Sequence, residues 1–128
     1  MQDKNLNIYI ISEDIMFIQL IETMLRHYTA VPIIKVFNSF HKLLNNTSNI
    51  SPNIIIMDDI ISGATSLEVI SYLRITKKYI SKISFFSYNV YGIRTKALAR
   101  GINYFYSKPF DPQLVVGQIV KDAHSKTR

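Results

Sequence analysis

Two apolar, β-branched runs in this chain each end in adjacent acids, Ile8-Tyr9-Ile10-Ile11-Ser12-Glu13-Asp14 and Ile54-Ile55-Ile56-Met57-Asp58-Asp59, and a third segment ends in Ser107-Lys108-Pro109-Phe110. Runs of this kind read as β-strands. If the three are parallel neighbours, their carboxyl ends bring Glu13, Asp14, Asp58 and Lys108 to one edge of a sheet, where open α/β folds bind their ligands. Three crowded carboxylates repel one another unless a cation joins them. A hard divalent ion with oxygen ligands fits that need, and Mg²⁺ best of all, because it takes few protein carboxylates and retains several waters. With Lys108 added, the chemistry is that of a metal and a phosphate.

The elements that must position these residues follow from the pattern. Strands are predicted over Asn7 to Ser12, Ile33 to Phe37, Asn53 to Met57, Ile83 to Phe86 and Asn103 to Tyr106. All are short and mostly apolar, as strands covered on both faces should be. Helical spacing fills the gaps: Phe17, Leu20, Ile21, Met24 and Leu25; Leu67, Ile70, Leu73 and, less cleanly, Arg74; Leu114, Val115, Gln118 and Ile119. Ser39 is placed to cap a short helix through Leu44, and Asp111 followed by Pro112 makes a helix start. Asn45 to Asn49 reads as a polar loop, and Ser51-Pro52 punctuates entry to the third strand. Five βα units in a row imply a doubly wound, five-stranded parallel sheet with helices on both faces, a flavodoxin-like (βα)5 arrangement.

Composition is consistent with one globular domain over residues 1–128. The chain is 48% hydrophobic and 19% charged, enough to bury a core and too apolar for disorder. It has no Cys, which removes disulfides and zinc thiolates from consideration. The apolar run from Ile8 to Ile11 is too short for a signal-peptide core or a membrane span, so a cytoplasmic protein without a membrane partner is expected. The formal charge of +6 is spread over scattered Lys and Arg residues, with only Lys77-Lys78 adjacent, and reads as a solvated basic surface. His27, His41 and His124 lie far apart without ligand spacing.

The stretch from Pro52 to Ile70 is similar without a gap to PDLILLDxxLPGMDGLEVI, the pattern of response-regulator receiver domains in two-component signalling. Glu13-Asp14 resembles the family's acid pair, with Asp14 44 residues before Asp58, and Lys108-Pro109-Phe110 resembles its KPF motif, with Lys108 50 residues after. Ala97 to Asn103 resembles the ALxxGAxD segment. Each motif is weak alone; four in order, spanning nearly the whole chain, are specific.

The resemblance implies that Asp58 accepts a phosphoryl group. Mg²⁺ would be held by Asp14 directly, Glu13 through water, Asp58 and the backbone carbonyl of Ile60. Lys108 would meet a phosphate oxygen, and a hydroxyl at the end of strand four another. Ser87 is the candidate for that hydroxyl, but counting back without gaps from Gly101 puts Phe86 there instead. Phe105 stands at the mobile aromatic, often Tyr, and a cis bond is implied between Lys108 and Pro109. Ser62 and Ser66 depart from the usual Pro and Gly, which puts coupling to the output surface in question. Phosphoryl transfer asks mainly for positioning and charge neutralisation, which these residues supply.

The implied partners are a histidine kinase or phosphotransfer protein as donor, and a downstream protein, or a second copy, at the face of the fourth helix, fifth strand and fifth helix. Tyr91, Tyr104, Tyr106 and Phe110 are expected there beside Arg94, Lys96 and Arg100. The chain would be no enzyme beyond its own aspartyl phosphorylation and dephosphorylation. The alternative is a receiver-like interaction module that works without phosphorylation. A dehalogenase-type phosphatase is excluded because its second acid would fall at Ile60, and a flavin site because Glu13-Asp14 would repel a phosphate. A DNA-binding role is not expected, since the sequence leaves no room for a helix-turn-helix after the fifth helix. Plainer roles exist for single residues: Asp58 as a turn aspartate, Asp59 as a bystander, Glu13 and Asp14 as acids favoured at a helix N-terminus, Lys108 as a surface lysine.

Overall fold

The computed structural model describes residues 5–124. Strands β1 (Asn7–Ile11), β2 (Ile33–Phe37), β3 (Ile54–Asp58), β4 (Lys82–Ser87) and β5 (Tyr104–Ser107) form one parallel sheet in the order β2-β1-β3-β4-β5. Helices α1 (Ile15–Tyr28), α2 (Phe40–Leu44), α3 (Ser66–Ser71, continued as a π-helical turn over Tyr72–Thr76), α4 (Ile93–Arg100) and α5 (Pro112–His124) alternate with them. This is the doubly wound (βα)5 arrangement expected from the pattern.

The central strands are apolar on both faces because both faces are covered. Ile8, Ile10, Ile54, Ile56 and Phe86 point to a core built with Phe17, Ile21 and Leu25 of α1 and Val116, Ile119 and Val120 of α5. Tyr9, Ile11, Ile55, Met57, Ile83 and Phe85 point to the other core, closed by Leu43 of α2, Val69, Ile70 and Leu73 of α3 and its continuation, and Ala97 of α4. Period-two alternation thus serves two cores at once. Strand β3 is buried along its whole length, Asp58 included.

Local chemistry fixes the helix ends. Ser39 caps α2 by accepting from the Lys42 N–H, and Asp111 accepts from Gln113 and Leu114 at the start of α5. Thr65 and Glu68 form a reciprocal capping box on α3. Three residues expected on inward faces look outward instead: Leu20, Leu114 and Gln118 are exposed, because the buried stripe of α1 runs Phe17, Ile21, Leu25 and that of α5 is taken by Val115, Val116, Ile119 and Val120.

The irregular period around Arg74 has a structural cause. After Ser71 the ladder widens, with the Lys77 N–H donating to the Tyr72 carbonyl, and Arg74 lies inside this π turn. Arg74, within this turn, donates to the Tyr79 carbonyl ahead of β4 at 2.9 Å and reaches across to the α4–β5 connection, donating to the Gly101 carbonyl at 2.8 Å and to Asn103 Oδ1 at 2.9 Å. Gly101 ends α4 at φ +116°, and an added Cβ would lie 3.0 Å from the Arg74 stem, so both backbone angle and close approach demand glycine. Removing the guanidinium while keeping an apolar stem, as in Arg74→Met, leaves these acceptors without their charged donor. It should cost about 2–3 kcal/mol in urea unfolding at neutral pH.

Candidate functional site

The sheet order delivers the site. Strand β1 pairs with β3 in the register Ile11↔Met57, so the next residue on each, Ser12 and Asp58, lie side by side. Ser12 Oγ donates to Asp58 Oδ2 at 2.7 Å. On the other side of β3, Asp58 pairs with Phe86, so Ser87 stands one step beyond, at the very end of β4. Strand β5 brings Lys108 alongside: its N–H donates to the Ser87 carbonyl at 3.0 Å. The Lys108 ammonium donates to Asp58 Oδ1 and, at 2.8 Å, to Asp59 Oδ1.

Asp58 has no accessible surface, while Lys108 and Asp59 keep a little. A cleft of about 430 Å³ opens over the site, lined among others by Asp14, Phe17, Ile60, Tyr88 and Lys108. Lys108 therefore lies between Asp58 and the cleft. The rings of Phe17 and Tyr88 flank its ammonium, with centroids 5.6 and 5.7 Å from Nζ.

Burial pushes the Asp58 carboxyl above its ordinary range, and the bonds from Lys108 and Ser12 offset this only in part. Burial acts the same way on Asp59, but there the bonds to Lys108, Asp58 and Ser87 outweigh it and hold the group below the ordinary range. Burial alone would lower Lys108; its two carboxylate partners overcome that and raise it. Two acids sharing one lysine leave the site with an excess of negative charge when both are ionised.

The residues singled out in the sequence are distributed unevenly. Asp58, Lys108 and Ser87 converge. Phe86 is core, packed among Phe17, Tyr106 and Phe110, so the hydroxyl at the end of β4 belongs to Ser87. That hydroxyl donates to Asp59 Oδ2 at 3.0 Å and lies 3.0 Å from the Tyr88 carbonyl, with no bond to Asp58. Asp14 caps α1, its Oδ1 accepting from the N–H groups of Met16 and Phe17. The Glu13 N–H donates to the Ile60 carbonyl at 2.8 Å, but the Glu13 residue is exposed. Phe105 packs edge-on to Phe85, half-buried towards α3 and α4. The Lys108–Pro109 bond is cis.

Two participants escaped the sequence reading. Ser12 precedes the acid pair in sequence, and only the Ile11↔Met57 register sets it beside Asp58. Asp59, which its sequence position places as a bystander, shares Lys108 with Asp58.

Among the described residues no three acids or histidines converge as a metal cage. The anticipated cluster of Glu13, Asp14 and Asp58 is not assembled, because a serine holds the position beside Asp58 and the Asp14 carboxylate is turned to the helix end. Asp14 and Ile60 line the cleft, the Ile60 carbonyl accepting from the Glu13 N–H, and Asp58 is buried against Lys108. Two carboxylates and one carbonyl suit a hard ion that keeps most of its waters.

No protein-family model matches this sequence. No curated protein matches it either. Solved structures do match in fold. The beryllofluoride-activated receiver domain of DrrB, a Thermotoga maritima protein, superposes with a TM-score of 0.77 at 13% identity over 92% of this chain and 97% of its own. The chemotaxis response regulator CheY4 of Vibrio cholerae gives 0.77 at 15% identity, with 94% and 99% covered. The receiver domain of NtrX from Brucella abortus gives 0.75 at 15% identity, with 91% and 96% covered. The fold is the receiver-domain fold of response regulators.

Lys108 compensates both buried acids, so Lys108→Met should destabilise the protein by about 3–5 kcal/mol at neutral pH. The loss should shrink on acidification. Without the lysine, burial raises both carboxyl groups, so the native state binds protons more tightly than the unfolded chain and gains stability as pH falls through those raised values. Urea midpoints of wild type and variant from pH 8 to pH 5 should converge; a constant gap would show that the ammonium is not what holds the acids.

Proposed function

We propose that this chain is a phosphoacceptor receiver module in two-component or phosphorelay signalling, with Asp58 as the acceptor. The observation that carries this reading is the buried Asp58–Lys108 pair at the carboxyl edge of a receiver-fold sheet. In the reaction a carboxylate oxygen of Asp58 attacks the phosphorus of a phosphohistidine on a kinase or phosphotransfer protein. The new P–O bond forms as the P–N bond breaks, and the leaving imidazole keeps the electron pair and takes a proton from solvent. Lys108 moves from the carboxylate to an oxygen of the incoming group, and Ser87 offers its hydroxyl to another. Asp14, Asp58 and the Ile60 carbonyl would hold Mg²⁺, which supplies positive charge to the phosphate oxygens when bound. Glu13 lies outside that set unless its exposed side chain turns in through a water.

Incubation with acetyl phosphate and Mg²⁺ should add the mass of one phosphoryl group to the intact chain, less of it when Mg²⁺ is omitted. The addition should vanish in Asp58→Asn. A modification that persists in that variant, or that moves to Asp59, would overturn the assignment.

The output is proposed to run through the face of α4, β5 and α5, to a protein target or a second copy. Strand β5 is an edge, Tyr91 is 94% exposed, and Arg94 and Lys96 are exposed beside it. Phe110 does not contribute: it packs against Phe17 and Phe86 on the α1 side. Tyr91→Ala and Arg94→Ala should weaken partner binding or dimerisation, measured by sedimentation or titration, with melting unchanged because neither side chain is packed.

One observation favours the second reading, an interaction module that works unphosphorylated: Asp58 is closed off from the cleft by Lys108. On that reading Asp58→Asn would leave partner binding intact. Among the described residues no helix is long and apolar enough to cross a membrane.

A further inference from the structure

The residue after Asp58 is unspecified in the family pattern, and here it is an acid whose two oxygens are divided between the two groups that would receive a phosphoryl group. Asp59 Oδ1 accepts from Lys108 Nζ at 2.8 Å, and Oδ2 accepts from Ser87 Oγ at 3.0 Å. The Asp59 backbone N–H donates to Asp58 Oδ1 at 2.9 Å, which fixes the Asp58 carboxylate at the end of β3. Ser87 has one proton to give, and a carboxylate is a stronger acceptor for it than the neighbouring Tyr88 carbonyl. We propose that Asp59 is a resident anion that occupies Lys108 and Ser87 in the unmodified chain, so that a phosphoryl group arriving on Asp58 must displace it rather than fill empty positions.

The inference rests on the phosphoacceptor reading of Asp58 and adds a regulation to it. Simple neutralisation of Lys108 would require only one oxygen of Asp59 and would leave Ser87 to the backbone. Engagement of both groups by one carboxylate gives the end of β4, and the Tyr88–Gly92 turn that follows, an anionic anchor before any phosphate arrives. It also sets a barrier, since the incoming dianion meets a fixed negative charge and a lysine already shared.

The test compares wild type, Asp59→Ala, Asp59→Asn and Asp58→Asn. Rates of modification by acetyl phosphate are read from intact mass, and backbone amide spectra of Ser87–Gly92 are recorded with and without beryllofluoride as phosphoryl analogue. In this reaction Asp58 forms the bond to phosphorus and acetate leaves with the electron pair of the broken P–O bond. Weakening the two charge-assisted hydrogen bonds that Asp59 accepts should accelerate both Asp59 variants at least about tenfold. The Ser87–Gly92 amides should move in unmodified Asp59→Ala and return towards their wild-type positions when beryllofluoride binds. Asp59→Asn keeps the side-chain volume and serves if the alanine variant melts.

Unchanged rates, or acceleration with the Ser87–Gly92 amides unmoved, would overturn the inference while leaving Asp58 as acceptor. If no protein takes up phosphate but the amides of Asp59→Ala still move, the phosphoacceptor reading fails and the hold of Asp59 on Lys108 and Ser87 stands.

Discussion

A carboxylate with no accessible surface at the end of a fully buried strand is the constraint from which the rest of the site follows. Desolvating such a group costs several kcal/mol unless charge and hydrogen bonds compensate it in place. Asp58 obtains them from three directions: Ser12 from β1, Lys108 from the end of β5, and the N–H of its own neighbour Asp59. Each donor arrives through strand register. A slip of one residue in β3 would turn Asp58 to the opposite face and leave Lys108 without it, so the order β2-β1-β3-β4-β5 and the ion pair support each other.

The two faces of the sheet contribute differently. On the side of α1 and α5, Phe17, Phe86, Tyr106 and Phe110 form a continuous aromatic layer that reaches the site, where Phe17 lies against the Lys108 ammonium. On the other side the contacts are polar at the periphery. Arg74 binds the carbonyl that ends α4, and Arg100 of α4 donates to the Leu67 carbonyl and Ser71 of α3. The far end of α4 is therefore tied to α3 twice. Its near end, the turn from Tyr88 to Gly92, is exposed, with a left-handed Tyr91 at φ +49° followed by Gly92 at φ +71°. A charge change at Asp58 would be felt at the near end first, because that end hangs from Ser87 and the far end is held by two guanidinium groups.

Much of this architecture is written in local patterns. Strands of consecutive Ile, Val and Phe, caps at Ser39 and Asp111, and five alternations of strand and helix specify a doubly wound parallel sheet, because continuous apolar strands need cover on both faces. The acid, the lysine and the serine at strand ends were legible for the same reason: in a parallel sheet every strand delivers its last residues to one edge. Tertiary structure decided the contacts at that edge. Ser12 rather than Glu13 or Asp14 stands beside Asp58, since the β1–β3 register is set by side-chain packing along both strands, while the Asp14 carboxylate is drawn to the unpaired N–H groups of α1. The π turn that aims Arg74 at Gly101, and the hold of Asp59 on both Lys108 and Ser87, depend on distances between residues 27 to 49 positions apart. Only the packed sheet brings those residues together.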